Sequence, residues 1–508
     1  MNRKYLLVIV AVLCIANQAL AQNIVYVNNN ASGNNDGTSW TDAYTSLTDA
    51  LNNASSNSQI WVTAGEYKPD PTDRFASFTW SVDSLELYGG FVGNETSISQ
   101  RSYSFKTTLS GEIGDLSTAN DNSYTVVSGP KGNRTYTITH SLMDGFKITR
   151  GNANRRSGGT ENLRYGGGFL LDEYVASMQF YNCEFRLNGA ISGSAITLRS
   201  KTIDAEVRMT NCMIIQNMSM TAPAIEARGF SSRSINLQLR NCLIAENEIT
   251  DFYGNGTSGT AMYVGGQDGA DCIVEFLNCT IANNFNSGTG VSNQIKSTIM
   301  FYNKNGAEQT IINMLNCIIW GNESDATIFG PNPTAGIPQP FTSIVTKGCI
   351  LQDTLEVPNR TMEDVRIIDP EFELGNNNPH SFRIKETSPA REVGNMTNSN
   401  DWLPTLDIAG NPRVDGQLDI GCYEFQRKAS IQSVERNILS VYPNPATNTL
   451  SIAAKNHTVQ VKIYNTLGAE VLASSHTQNI DISKLPAGIY TVSIEQNKKL
   501  SYAKFIKQ

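Results

Sequence analysis

The sequence predicts an all-β protein: a right-handed parallel β-helix with an N-terminal helical cap, followed by a small C-terminal β-sandwich. A repeated Asn-Cys phrase and the lack of amphipathic helical stretches between its copies predict the β-helix. Alternating strands divided by Pro and Gly turns at the C-terminal end predict the sandwich.

The repeated phrase is Asn-Cys-x-apolar-x-x-Asn. Its copies begin at Asn182, Asn211, Asn241, Asn278 and Asn316, and a degraded copy begins at Gly348. Successive cysteines are 29, 30, 37, 38 and 32 residues apart. A constant phrase with variable spacers indicates one supersecondary unit that is stacked repeatedly, with its insertions placed in loops.

Each repeat is interpreted as three short strands. An alternating strand precedes the Asn-Cys pair, and the alternation then resumes with shifted parity. One residue must therefore bend the chain, and Asn is the non-glycine residue that best tolerates a left-handed conformation. The phrase thus reads as strand, Asn bend, strand, Asn turn. The third strand is predicted within 168–171, 194–197, 224–226 and 261–263.

The cysteines are predicted to form a column of buried thiols. Stacked turns lie about 4.8 Å apart, whereas a disulfide needs about 3.8 Å between Cβ atoms. Eight cysteines remain after the leader is removed, yet a disulfide framework is disfavoured by this geometry. The asparagines are likewise interpreted as stacked structural residues.

The N-terminal end carries a leader and a capping helix. Residues 1–21 combine Arg3 and Lys4 with an apolar core and a small-residue cleavage pattern, as a secretory signal does. No later apolar run is long enough to span a bilayer, so we expect no transmembrane segment in the mature chain. Apolar residues at helical spacing predict a helix over 38–53 that covers the end of the β-helix.

The C-terminal residues 438–508, which follow a linker at 426–437, contain Tyr-Pro-Asn-Pro at 442–445 and Leu-Pro-Ala-Gly-Ile-Tyr at 485–490. This segment resembles the C-terminal sorting domain of the type IX secretion system of Bacteroidetes. The resemblance implies the secretion machinery as a partner and passage across the outer membrane. It also implies removal of the domain, with surface attachment or release.

The residues from 22 to 425 resemble secreted pectin-lyase-like β-helices related to polymorphic outer-membrane proteins. The matching phrases include Asp-Gly-Thr-Ser-Trp at 36–40, Asp-Pro-Glu-Phe at 369–372 and Asp-Ile-Gly-Cys-Tyr-Glu at 419–424. One departure is Glu392-Val393-Gly394, where similar proteins usually carry Asp-x-Gly after Ser-Pro-Ala. These are turn and cap residues, so they indicate fold more than activity.

Few residues suit catalysis. The four histidines lie at no ligand spacing from one another or from a cysteine, which makes a zinc site or a His-dependent triad improbable. No column holds the three carboxylates that a calcium-dependent lyase needs. We therefore predict no metal and no cofactor, and the composition implies no nucleic-acid partner.

A basic column is the candidate glycan-binding site. Aligning the repeats places Asp172, Arg199, Arg228 and Gly265 at one outward position, with Glu226 and Tyr263 two residues before Arg228 and Gly265. Residues 131–240 hold 14 Lys and Arg against 8 Asp and Glu, although the whole chain is −8. A basic band can attract an anionic polysaccharide. Outward sheet positions are also polar for structural reasons, and Asp172 beside Arg199 is equally consistent with a cross-strand pair.

Two functions remain open. The first is a non-catalytic cell-surface or secreted adhesin or glycan-binding scaffold, favoured because the distinctive repeat residues are structural. The second is a polysaccharide lyase or glycoside hydrolase acting on an acidic polysaccharide. A lyase neutralises the uronate with a cation and uses an unprotonated Lys or Arg as base.

Overall fold

The computed structural model describes most of the chain and forms two compact units that divide after Gln426. The signal segment and nearly all of the linker lie outside the described residues. These are 23–102, 106–130, 137–155, 161–221, 223–250, 258–288, 296–301, 303, 309–324, 326–329, 342–354, 359–373, 379–395, 403–413, 417–426, 440–453, 458–466, 468–496 and 499–508.

The first unit is a parallel β-helix, as the sequence predicts, and each complete turn contributes one strand to each of three long sheets. Sheet 1 has eleven strands: Asn23–Val27, Ser58–Thr63, Leu85–Phe91, Ser141–Asp144, Ser177–Tyr181, Ala205–Thr210, Ile235–Arg240, Cys272–Leu277, Thr310–Leu315, Thr342–Lys347 and Arg360–Glu363. Sheet 2 has nine: Gly65–Tyr67, Thr107–Ser110, Phe146–Thr149, Glu184–Arg186, Met213–Ile215, Leu243–Ala245, Thr280–Ala282, Ile318–Trp320 and Ile350–Leu351.

Sheet 3 has eight strands: Phe78–Thr79, Val127–Ser128, Phe169–Leu171, Ile196–Ser200, Ile225–Phe230, Ser258–Gln267, Lys296–Phe301 and Ala326–Phe329. A short fourth sheet consists of strands that lie between sheet 2 and sheet 3 in chain order: Asn152–Ala153, Gly189–Ala190, Met218–Ser219, Glu248–Ile249 and Phe285–Asn286. Within the described residues, three 3₁₀ helices lie in connections: Ile98–Gln100, Glu161–Arg164 and Pro379–Phe382. The insertions that lengthen the repeats fall between the short sheet and the next strand of sheet 1.

The first asparagine of each phrase makes the predicted left-handed bend. The five residues that begin the phrase copies have φ angles of 50° to 54°. The bend turns the chain from sheet 1 into sheet 2, so that residues on both sides of it point inward. The prediction for the closing asparagine is wrong in one detail, because the left-handed residue is the one before it: Leu187, Gln216, Glu246, Asn283 or Gly321.

The closing asparagines form a buried ladder instead. The side-chain amide of Asn217 donates to Oδ1 of Asn247 at 3.0 Å, and Asn247 donates to Asn284 at 2.8 Å. The same amides also bond a backbone carbonyl one turn back, as Asn217 does to Phe185 at 2.9 Å. Every closing asparagine therefore connects three consecutive turns.

The cysteines are buried free thiols, as predicted. Seven of them, from Cys183 to Cys349, belong to the apolar core, and each thiol lies near a backbone carbonyl of the preceding turn or two residues back. Burial raises the pKa of the Cys212, Cys242 and Cys279 thiols well above their ordinary value. They fill space as small apolar side chains.

The N-terminal helix is shorter than predicted and covers only Leu47–Asn53. Ser46 is its N-cap and accepts a hydrogen bond from the backbone of Asp49. Before it, the side chains of Asn35 and Asp42 accept backbone N–H groups and hold 38–46 in turns, since such local bonds compete with helix formation. Leu47, Ala50 and Leu51 still join the core, whereas Trp40 packs in a separate aromatic cluster outside sheet 1.

The described residues between 379 and 426 fold back along the outer face of sheet 2. Apolar residues that point outward from this sheet, such as Leu243 and Ile318, pack against Tyr423, Phe382 and Ile420 of the returning segment. The first asparagines of later repeats bond the same segment: Asn278 donates to the Asp419 carbonyl at 3.1 Å. We call residues 379–426 the covering segment.

The second unit holds two antiparallel sheets around its own core. The three-stranded sheet contains Val441–Tyr442, Thr449–Ile452 and Ile480–Asp481. The four-stranded sheet contains, in spatial order, Glu470–His476, Thr458–Tyr464, Gly488–Gln496 and Lys499–Lys507. This arrangement is the β-sandwich that the sequence predicts.

Candidate functional site

The outer face of sheet 3 carries the residues of the predicted basic column. The alignment made from the sequence holds, since Arg199 pairs in register with Arg228, and Arg228 with Gly265. Glu226 pairs in the same way with Tyr263. The column is covered, however, because connecting loops pack over this face, and Arg199 and Glu226 are only 3% and 2% exposed.

Arg199 and Glu226 form a buried ion pair. Nε and Nη2 of Arg199 both lie 3.3 Å from Oε1 of Glu226, and the guanidinium carbon lies 3.5 Å from the ring centre of Tyr165. Burial opposes the charge on Arg199, but Glu226 and Tyr165 outweigh it and raise the pKa of the guanidinium. Arg199 therefore stays charged and is unsuited to act as a base.

Glu226 is held in its ionised form by several donors. Burial would raise its pKa, but Arg199 and Arg228 outweigh burial and lower it. Ser192 also donates its hydroxyl to Oε2, and Nη1 of Arg228 lies 3.8 Å from Oε1. Both oxygens of the Glu226 carboxylate therefore already have partners within the chain.

The remaining column residues keep some exposure. Arg228 lies over Phe230, 4.6 Å from its ring centre, and its side chain is 18% exposed. Tyr263 is half-buried beside it, at 5.6 Å from the same guanidinium. Asp172 pairs with Lys201 at 2.8 Å. The part of the column that a ligand can reach is thus Arg228 and Tyr263.

Sheet 1 presents a different, less covered surface that sequence reasoning missed. A recess of about 330 Å³ lies on its outer face. Its outward-pointing lining residues are Gln238, Arg240, Glu275, Leu277, Asn313, Leu315, Val345 and Lys347. They include a row of side chains in register, Gln238, Glu275, Asn313 and Val345. The signal was available in the sequence, since amide, carboxylate and aliphatic residues occupy the same outward positions of successive repeats.

Two arginines meet at the N-terminal end of this recess. Nε of Arg208 donates to Oε1 of Gln238 at 2.9 Å, and Nη2 of Arg240 donates to the same oxygen at 3.0 Å. Burial, followed by the nearby charge of Arg208, lowers the pKa of Arg240. Gln238 is only 6% exposed, so its neutral amide oxygen bridges the two guanidinium groups at the base of the recess.

A second recess of about 320 Å³ lies further along the same face. Its lining includes Glu86, His140, Leu142 and Gln179. Glu86, Leu142 and Gln179 are in register with one another, and Gln179 is in register with Arg208. One row of outward side chains therefore connects the two recesses across consecutive turns.

Metal ligation has no support within the described residues, where no group of three or more His, Cys, Asp or Glu side chains could hold an ion. The same residues contain no helix long and apolar enough to cross a membrane. What sheet 1 offers is a hydrogen-bonding surface with aliphatic borders.

Comparison with known proteins identifies the second unit. Residues 440–508 match the family model of the secretion system C-terminal sorting domain. No curated protein sequence matches the chain. Among solved structures, the crystal structure of pectate lyase Pel9A matches with a TM-score of 0.44 and 13% identity, covering 80% of this chain and 96% of that one. A match this distant carries no conclusion about activity.

The fold and the C-terminal domain define the class of protein: an exported parallel β-helix protein with a type IX secretion sorting domain. The sorting domain directs the chain to the cell surface or the extracellular space.

Proposed function

We propose that the protein is a non-catalytic adhesin or glycan-binding scaffold and that the outer face of sheet 1 binds the glycan. One observation carries the proposal: the row of Gln238, Glu275 and Asn313 lines a recess on a face that neither the covering segment nor the loops over sheet 3 occupy. Amide and carboxylate side chains can bond sugar hydroxyls, and the adjoining Leu277 and Leu315 can contact the apolar faces of sugar rings.

The geometry also supports an extended ligand. Consecutive turns repeat the same outward positions at about 4.8 Å, so a polymer that follows the row meets similar groups at each step. Arg240 would favour a polymer with carboxylate or sulfate groups, whereas Arg208 is already paired with Glu206 at 2.6 Å. Arg228 and Tyr263 on sheet 3 remain a separate candidate contact for the same kind of ligand.

The experiment is a binding screen of the mature protein against neutral and acidic polysaccharides. Asn313→Ala combined with Gln238→Ala should weaken binding about tenfold or more, because two hydrogen-bonding groups of the row are lost. Arg228→Ala is the comparison variant on sheet 3. Loss of binding in Arg228→Ala alone would move the site to sheet 3, and unchanged binding in both variants would refute both sites.

A polysaccharide lyase is the second candidate, and the paired guanidinium groups favour it. The lowered pKa of Arg240 is in the direction that a general base requires. The same screen tests this candidate through the ultraviolet absorbance of an unsaturated product and through release of reducing ends. Absorbance that appears with a uronate polymer and is lost in Arg240→Met would establish a lyase. Reducing ends without absorbance would indicate a hydrolase.

A further inference from the structure

The outer face of the four-stranded sheet in the sorting domain is apolar where a solvent-facing sheet is usually polar. Ile489 and Ile506 are in-register neighbours on adjacent strands, and they are 54% and 47% exposed. Tyr502 points the same way four residue pairs further along and is 38% exposed. Ile463, Val492 and Phe505 face the opposite side and fill the core.

The same face contains a recess with a cationic rim. Between the two isoleucines and Tyr502 lies a row of three side chains in register, Tyr464, Thr491 and Lys504. The recess has a volume of about 410 Å³, and all three of these residues and Ile489 line it. Lys504 is exposed and makes no ion pair within the described residues, whereas Lys462 on the same face pairs with Glu470 at 3.1 Å.

The charge of the domain differs from that of the rest of the chain. Residues 440–508 contain seven lysines, no arginine and three acidic residues, although the whole chain carries −8. The domain is therefore basic on an acidic protein. An apolar recess beside an unpaired lysine matches a partner surface with an apolar protrusion and acidic residues around it.

We infer that this outer face docks the sorting domain onto an acidic-rimmed apolar surface of a protein component of the secretion machinery. Two other surfaces of the four-stranded sheet are occupied. Its inner face belongs to the core. Its edge strand Lys499–Lys507 is bonded by the Asn444 side chain and by the backbone of Ala446.

The test follows export of the full chain in a bacterium that has a type IX secretion system. Ile489→Asp combined with Ile506→Asp should reduce the exported fraction about tenfold or more, because two carboxylates are placed in an apolar contact. Lys504→Glu should reduce export in the same direction, and Lys504→Arg should retain it. The measurement is an immunoblot of the medium and the protease-accessible surface against the retained protein.

Matched controls lie elsewhere on the domain. Thr447, exposed just before the Thr449–Ile452 strand, is changed to Asp, and Lys484, in the turn before the Gly488–Gln496 strand, is changed to Glu. We expect both controls to be exported like the native chain. Equal export of the isoleucine double variant and the native chain, or equal losses in variants and controls, would overturn the inference.

Folding is checked on the purified full chain through the thermal transition of the sorting domain. Where the double Asp variant loses that transition, Ile489→Thr with Ile506→Thr replaces it, since Thr suits a strand but removes much of the apolar contact. Normal export of this folded variant would equally overturn the inference. Binding of the purified chain to anionic lipid vesicles, lost in Lys504→Glu, together with normal export of that variant, would reassign the face to a membrane surface.

Discussion

Asparagine has two distinct structural roles in each turn of the β-helix. The asparagine before each cysteine supplies a left-handed bend, and the closing asparagine supplies a buried amide that joins three turns. Both roles use the small amide side chain, which tolerates positive φ and offers a donor and an acceptor at once. Because each role has different geometry, replacing the two asparagines should have different consequences.

Asn217→Ala should lower the free energy of unfolding by about 2–4 kcal/mol, since buried partners left unpaired cost about 1–3 kcal/mol each. The partners that lose a bond are the backbone and side-chain N–H groups of Asn188, Oδ1 of Asn247 and the carbonyls of Phe185 and Ile215. Denaturant titration measures the change. Asn313→Ala on the outer face of sheet 1 is the matched control, and we expect it to cost less than 1 kcal/mol, as a surface substitution does. Equal costs for the two variants would contradict the ladder's role.

The buried pair on sheet 3 predicts a strong coupling between two substitutions. Glu226→Leu leaves Arg199 buried without its carboxylate and should destabilise the protein by about 3 kcal/mol or more. Adding Arg199→Met should recover part of that loss, because the uncompensated charge is removed with its partner. A double-mutant cycle from thermal or denaturant unfolding measures the coupling. Additive effects would show that the pair does not stabilise the fold.

The structural roles of residues could be predicted where the residues repeat from turn to turn. The thiol column, the left-handed bends and the register of Arg199 with Arg228 all follow from spacing, because stacking copies one turn onto the next. The burial of Arg199 could not be predicted this way. It depends on Tyr165 and Ser192, which belong to connections that vary between repeats.

At the scale of elements, the hydrogen bonds of the covering segment show the structural role of the phrase Asp-Ile-Gly-Cys-Tyr-Glu at 419–424 and of the residues bonded to it. The side chains of Asp407 and Asp419 accept backbone N–H groups, and Arg413 donates to the Gly421 carbonyl. Glu424 lies near Arg413, with 3.6 Å between Oε2 and Nε. These phrases thus stabilise the fold, which agrees with their interpretation as turn and cap residues.

The cluster around Glu424 predicts that stability falls as the pH rises. Burial raises the pKa of Glu424 to about 8, with Asp419 and Asp407 adding to the rise and Arg413 opposing it. The unfolded carboxyl titrates near about 4.3, so the stabilising contribution is complete below that pH and is lost by about pH 8. The slope is about 1.4 kcal/mol for each pH unit between the two values.

Unfolding measured at several pH values tests this prediction, with Glu424→Gln as the variant that keeps the shape and removes the charge. We expect the variant to show a flatter profile between pH 5 and 8. A native profile that rises over this range, or an identical slope in the variant, would contradict it.

The thiol column gives a second prediction for this scale. Native protein should resist alkylation by iodoacetamide, because buried thiols with a raised pKa yield little accessible thiolate. All eight described cysteines should react after denaturation. Mass spectrometry counts the modified residues, and rapid labelling of Cys212 in the folded protein would show that the column opens.

Elements were predictable to the extent that their signal is local. The strands beside each Asn-Cys pair were found because the phrase and the alternation coincide. The predicted helix is too long, because Trp40, Ala43 and Tyr44 have the apolar spacing of a helix. Hydrogen bonds to the side chains of Asn35 and Asp42 instead hold these residues in turns. The covering segment escaped prediction because its contacts join residues far apart in the chain.

At the scale of the whole molecule, the two units have separate cores with no residue in common. The full chain should therefore show two thermal transitions by calorimetry, and a chain that ends at residue 439 should lose only one of them. The remaining transition should keep its temperature within about 2 °C, since no core residue of the β-helix is removed. A large downward shift would show that the sorting domain stabilises the β-helix.

The asparagine ladder also gives the β-helix a direction. The first four closing asparagines each donate both the backbone and the side-chain N–H to the next asparagine downstream, and Gln352 accepts the backbone N–H of the fifth, Asn322. A nascent or translocating chain that emerges from its N-terminus thus always carries one incomplete rung, which is completed only when about one more turn has arrived. Turns can therefore be added one after another until Gln352 provides the last acceptor. Truncation inside the ladder leaves the N–H groups of the last asparagine without an acceptor, whereas deletion of one whole turn leaves an acceptor for every asparagine.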